Sequence, residues 1–408
     1  MINLTVGFFL ALLAGSSVYI LRQYAIGLYP NFPALLPNFI LIAGVHTLCF
    51  VFLMTRPRHL MENTFLITLL ALSTATAFTV LFSFLFRQTY SLFLLVPFTV
   101  FLWGWTLANE QLQKVRLSRL KYVLVDLGEW KEAKFPNIDI RRIAEPEHLN
   151  DSEYDVLLLD HQVKQHPEWK VFLSSVASPQ KPYVDTRDFY ELVSGEIWPK
   201  GFFPHDLQDS SSSFYAGVLK RCFDIAVALL ALCALFPLFF IVALLVSFSS
   251  RGGILFRQNR VGKHGKTFVL YKIRTMYANS EADGPRFTAH KDERVTTIGR
   301  YLRRTRLDEW PQFFNVLLGD MSIIGPRPER PEWVEQFQID IPFYEARHIV
   351  RPGITGWAQV TSGYGVGKDG ARVKLNLDLY YIRHLGFSID LIVMYRTLAT
   401  LVQGTGAR

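Results

Sequence analysis

Five long apolar runs stand out from an otherwise mixed sequence, and four of them fall before residue 110. They cover roughly 4–21, 32–54, 64–86 and 90–108, each near the ~20 residues that a helix needs to cross a bilayer. The pattern predicts a four-helix transmembrane domain over 1–110. Arg56 and Arg58 lie in the second loop, and Lys114, Arg116, Arg119 and Lys121 follow the fourth run, whereas the other loops hold only Arg22 and Arg87. That bias puts both ends of the bundle on the cytoplasmic side. The first run begins almost at Met1 without a basic lead-in, so it reads as an uncleaved span. His46, inside the second run, is either a proton relay or, more commonly for a lone imidazole, a hydrogen-bonding group between helices.

From Tyr122 the texture becomes that of a soluble domain. Short apolar runs at 122–125, 138–143 and 156–159, separated by polar segments, predict a small Rossmann-like α/β module over 111–205. After the first run comes Asp126-Leu127-Gly128-Glu129-Trp130, which lacks the second and third glycines that let a backbone approach pyrophosphate. A structural or regulatory module is expected there. Residues 206–219, with Ser210 to Ser213, form a polar linker.

The fifth run, 223–248, has Lys220 and Arg221 before it and Arg251, Arg257 and Arg260 after it. Cations at both ends, and Pro237 in the middle, predict a helix that enters one leaflet and returns, over about 221–249. The rival is an ordinary fifth span with a kink.

Half of the residues are hydrophobic and the net charge is +8. With four predicted spans, that positive balance points to an anionic membrane surface or a phosphorylated substrate, and away from nucleic acid. The three cysteines, Cys49, Cys222 and Cys233, have no metal-ligand or disulfide spacing.

The chemistry concentrates beyond Arg251. In order come Lys220-Arg221-Cys222-Phe223-Asp224, Arg257-Gln258-Asn259-Arg260-Val261-Gly262, Tyr271-Lys272-Ile273-Arg274-Thr275-Met276 and Arg303-Arg304-Thr305-Arg306-Leu307-Asp308-Glu309-Trp310-Pro311-Gln312. Then follow Gly319-Asp320-Met321-Ser322, Gly325-Pro326-Arg327-Pro328-Glu329, Arg351-Pro352-Gly353-Ile354-Thr355-Gly356-Trp357-Ala358-Gln359 and Asp378-Leu379-Tyr380-Tyr381. A carboxylate can attack a phosphoanhydride only if cations offset the repulsion, and these segments place cations around Asp308-Glu309 in the sequence. Pro311 and the apolar 313–318 also put the pair near a helix N-terminus. Taken alone, an Asp-Glu pair there is more commonly an N-cap and a solvated first-turn residue.

Over 220–404 the chain resembles the bacterial sugar transferase family, the monotopic phosphoglycosyl transferases. The resemblance implies an exchange in two steps: Asp308 attacks the sugar-bearing phosphate of a UDP-sugar, UMP leaves, and undecaprenyl phosphate takes the phospho-sugar. It implies Mg²⁺ on Glu309. Lys272, Arg274 and Arg303 would neutralise donor phosphates, Arg327 would contact the nucleotide or its phosphate, and Asp378 would assist the metal or position the basic residues. Gly353 and Gly356 are expected to shape a turn. The segment 387–402, interrupted by Asp390 and Arg396, is too polar to span and suits the membrane interface. Two features depart from the family: Phe236 precedes Pro237 where many members have Ser, and Thr361 to Arg372, with four glycines, does not reveal the sugar.

The expected architecture is a four-helix bundle, a linked α/β module and an α-rich monotopic catalytic domain over 220–408. The resemblance further implies a multi-pass protein of the bacterial inner membrane, its catalytic domain on the cytoplasmic face among membrane lipids. A homodimer is implied by likeness to the large members, and the expected role is the initiating step of exopolysaccharide, capsule or O-antigen synthesis. The alternative is a non-catalytic sensor of nucleotide sugars or a scaffold, which has no need of a nucleophile. A transporter is disfavoured because the four N-terminal runs hold almost no intramembrane charge.

Overall fold

The computed structural model describes most of residues 119–403, with its longest gaps at 208–214 and 281–291, and before 119 only residues 100, 101, 104 and 108. The expected four-helix bundle and His46 therefore lie outside the described residues, those four positions aside. The chain divides into two compact units, Met1–Gly195 and Glu196–Arg408.

In the first unit, four parallel strands form one sheet in the order β2-β1-β3-β4: β1 Tyr122–Val125, β2 Ile140–Ile143, β3 Val156–Leu159 and β4 Tyr183–Asp185. The two central strands are Val- and Leu-rich and buried throughout, as a sheet covered on both faces requires. Helix α1, Pro167–Val176, brings Trp169 and Phe172 onto Val123, Val125 and Leu157. Helix α2, Thr186–Ser194, is capped by the Asp185 carboxylate, which accepts from Arg187 N at 2.9 Å. Strand β2 is shorter than the expected 138–143, and β4 has no counterpart in the expectation. The turn after β1 closes on itself. Asp126 Oδ1 accepts from Gly128 N at 2.8 Å and Trp130 N at 3.0 Å, so a side chain occupies the N–H groups that a pyrophosphate would need.

The second unit is built around α3, Lys220–Ser249, which is 30 residues long. At 1.5 Å per residue, this is about 45 Å of helix. With the turn before it, it is the one helix among the described residues long and apolar enough to cross a membrane. Leu230, Phe236, Phe240 and Phe248 are exposed along it, the last at 82%. Its first turns carry polar residues bound to the domain, of which Lys220 and Asp224 are buried. Lys220 Nζ lies 2.6 Å from Asp390 Oδ2, Arg221 donates to the carbonyls of Val316 and Leu317, and Asp224 Oδ1 accepts from Ser322 Oγ and Ile323 N. Near its other end Val242 and Val246 pack with Ile273 and Leu302. Both ends thus rest on one domain, while one face of the helix between them is apolar and exposed.

That domain begins with the antiparallel hairpin of β5, Leu255–Val261, and β6, Thr267–Ile273. Next come α4, Thr297–Arg304, and α5, Gln312–Leu318. Strand β7, Ser322–Ile324, pairs in parallel with β8, Gly353–Thr355, and α6, Pro331–Asp340, lies between them in sequence. Short α7, Trp357–Thr361, leads to α8, Gly367–Arg383, and α9, Phe387–Gln403. Gly353 and Gly356 answer a different need from a tight turn. A Cβ on either would overlap the backbone of Gly325, so the glycines let two main chains touch. In α9, Asp390 is buried and accepts from Tyr215 and Tyr381 as well as Lys220, while Leu398 and Leu401 are exposed.

Candidate active site

Asp308 and Glu309 lie in a single 3₁₀ turn, Leu307–Glu309, between α4 and α5. The chain enters it through Arg306, whose φ of 59° is rare for a side-chain-bearing residue. Trp310 then anchors the turn against α3, its ring 5.1 Å from that of Phe239. Helix α5 starts only at Gln312, with Pro311 at its N-cap, and has seven residues. Asp308 is therefore not the cap, and side-chain cations rather than a helix N-terminus supply the positive field.

Those cations converge on Glu309. Its Oε1 is 2.6 Å from Arg327 Nη2, 3.7 Å from Lys272 Nζ and 3.7 Å from Arg306 Nη1. Strand β6 delivers Lys272, and Asn315 fixes the strand to α5: its side chain accepts from Tyr271 N at 3.1 Å and donates to Val269 O at 2.7 Å. Burial pushes the Glu309 carboxyl up, but Arg327 and Lys272 outweigh it and hold the group well below the usual range. Burial likewise lowers Lys272 to about 8, against the pull of Glu309.

Asp308 differs from its neighbour. It is only 8% exposed, and Oδ1 is enclosed with no hydrogen-bond partner. Burial first, and then the Glu309 charge, raise its carboxyl to about 6, with Lys272 and Arg303 pulling the other way. At neutral pH it remains mainly ionised, poorly solvated and beside a field of positive charge. These are the conditions of an activated carboxylate nucleophile.

Arg303 is tied to the site through Thr275, its Nε donating to Oγ1 at 2.9 Å. Arg274 stands elsewhere. It donates to the Ser250 carbonyl at 2.7 Å and packs on Gly252, closing the chain after α3. Asp378, on α8, meets neither carboxylate of the turn but pairs with Arg347 at 2.7 Å. Pro237, expected to break the fifth apolar run, lies inside α3, and the helix continues on both sides of it.

Sequence reasoning missed several residues. Arg306, Arg260 and Asp224 lay inside recognised motifs without a role, while Arg347 and Asn315 lay outside all of them.

Mg²⁺ typically binds one or two carboxylates plus phosphate oxygens and water. Among the described residues no group of three or more His, Cys, Asp or Glu side chains could hold a metal ion alone. Two adjacent carboxylates, one with an enclosed and unpartnered oxygen, fit an ion shared with substrate phosphates.

The family described as Bacterial sugar transferase matches residues 215–404. The UDP-N-acetylgalactosamine-undecaprenyl-phosphate N-acetylgalactosaminephosphotransferase of Aeromonas hydrophila is 38% identical over 289 residues, 71% of this chain and 68% of that protein. The UDP-glucose:undecaprenyl-phosphate glucose-1-phosphate transferase of Escherichia coli K12 is 40% identical over 194 residues, 47% of this chain but only 42% of that longer protein. The exopolysaccharide production protein PSS of Rhizobium leguminosarum bv. phaseoli is 39% identical over 197 residues, 46% of this chain and 98% of its own. The chain belongs to the bacterial sugar transferase family. It is an enzyme of the sugar-1-phosphate transferase class.

Proposed function

We propose that this protein transfers a sugar 1-phosphate from a UDP-sugar to undecaprenyl phosphate through a phospho-sugar held on Asp308. The observation that carries the reading is the contrast inside one turn: Glu309 is neutralised by three cations, and Asp308 is enclosed, unpartnered and ionisable. Asp308 attacks the sugar-bearing phosphorus, a bond forms from its carboxylate oxygen, and the bond to the bridging oxygen of UMP breaks. UMP departs with that electron pair. A phosphate oxygen of the lipid then attacks the same phosphorus and frees Asp308, leaving a sugar diphospholipid.

Arg327, Lys272 and Arg306 neutralise the charge that gathers on the phosphoryl oxygens, and Arg303 steadies the Asp308 side. Glu309 and Asp308 would hold Mg²⁺, which would supply further charge neutralisation. Arg274 contributes by closing the chain beside β6.

The exposed apolar face of α3 belongs in lipid, and both of its ends rest on one domain. That arrangement supports a re-entrant helix, because a crossing helix would carry its ends to opposite faces. The catalytic domain then sits on the cytoplasmic face of the bacterial inner membrane, at the depth of a lipid phosphate. The relatives named for N-acetylgalactosamine and for glucose make these the first sugars to try, in a homodimeric enzyme that initiates exopolysaccharide, capsule or O-antigen synthesis.

The test is UMP release by the membrane-embedded protein with undecaprenyl phosphate and a panel of UDP-sugars. One or more donors should yield equal amounts of UMP and lipid-linked sugar; no release across the panel would leave the non-catalytic sensor as the better account.

A further inference from the structure

The segment 326–329 has prolines at positions 326 and 328 and so lacks two of the N–H groups with which a loop usually ties itself down. Its four successive carbonyls are instead taken from outside. Pro326 O accepts from Gly353 N at 2.9 Å, Arg327 O from Arg347 Nη2 at 3.0 Å, Pro328 O from Arg260 Nη1 at 2.9 Å, and Glu329 O from Val261 N at 2.9 Å. Two of these donors are guanidinium groups. Arg347 is almost fully buried, and its other contacts hold it still: Asp378 Oδ2 at 2.7 Å and the Tyr344 hydroxyl at 2.6 Å. Arg260 is aligned by Gln258 Oε1 at 2.6 Å.

A guanidinium has five N–H donors in a rigid fork, so one arginine can satisfy a carboxylate, a hydroxyl and a carbonyl at once. We propose that Arg347, fixed by Asp378, and Arg260 are positioning residues that grip the 326–329 loop by its carbonyls and so keep the Arg327 guanidinium on Glu309. Asp378 then acts through Arg347 and binds neither metal nor nucleotide. This inference rests on the transferase reading for its kinetic consequences, but the grip itself is a property of the fold.

Full-length Arg347→Lys, Asp378→Asn and the double variant, in membranes, provide the test, with Arg260→Lys as the variant that leaves the buried pair intact. Lysine keeps the charge beside Asp378, but its single nitrogen cannot span the three acceptors that the planar fork serves from two nitrogens. Each buried-pair variant should lower kcat for UMP release about 10²-fold, as a displaced phosphate clamp does, with KM for the lipid little changed. The double variant should be no worse than the poorer single one, since both break the same link. The Mg²⁺ concentration for half-maximal rate should not move in Asp378→Asn, and amide exchange of the 325–330 peptide should rise in every variant, Arg260→Lys included. Additive losses, a changed Mg²⁺ requirement or an unaltered exchange rate would overturn the proposal. If the unmodified protein released no UMP from any donor, the transferase reading would fail while the exchange result still judged the grip.

Discussion

Asp126 and Asp308 are both buried aspartates in tight turns, and they are treated in opposite ways. In the α/β module, Asp126 spends one oxygen on two backbone N–H groups and locks the turn after β1. In the catalytic unit Asp308 Oδ1 has no donor, whereas Asp224, Asp378 and Asp390 in the same unit each accept hydrogen bonds. A buried oxygen without a partner costs about 1–3 kcal/mol, and an active site is one setting in which a fold retains such a group. The difference separates a carboxylate that builds the protein from one that the fold keeps free for chemistry.

That contrast can be broken in several ways. Asp308→Asn should reduce UMP release by about 10⁴-fold or more while leaving the melting temperature unchanged or raised, since a poorly solvated charge is removed. Arg327→Ala strips Glu309 of its nearest cation and should lower the rate about 10²-fold, read in the same assay. A smaller effect concerns pH. Because Asp308 is raised to about 6, it loses its charge as pH falls through that value, so UMP release should decline on the acid side about tenfold per unit. Arg303 helps to hold that carboxyl down, so Arg303→Met should move the acid limb to higher pH. Least of all, Asp126→Ala should cost about 1 kcal/mol in stability, seen by thermal melting, and leave transfer untouched.

Much of this was legible before any coordinates. Strands β1 and β3 announce themselves as Val- and Leu-rich runs between polar segments, whereas β4 is three residues long and partly exposed, too brief for periodicity to register. The Asp308-Glu309 turn, Lys272 and Arg327 were legible through motifs, and the fold brings them together. Arg274 misled because it sits two residues from Lys272. Strand β6 stops at Ile273, so the chain turns away and Arg274 serves the end of α3 instead. The expected helix N-terminus also lies further off, since α5 begins at Gln312, four residues after Asp308. Arg347 carried no signal at all. Its importance comes from a carboxylate on α8 and a carbonyl between two prolines, partners that only the folded chain assembles.

The most direct measurement is mass spectrometry of the full-length protein after incubation with the active UDP-sugar and Mg²⁺ but no lipid phosphate. The account predicts a peptide carrying one sugar phosphate on Asp308, formed with about one equivalent of UMP per chain and discharged when undecaprenyl phosphate is added. UMP released only in the presence of the lipid, with Asp308 never modified, would mean direct displacement and would contradict it.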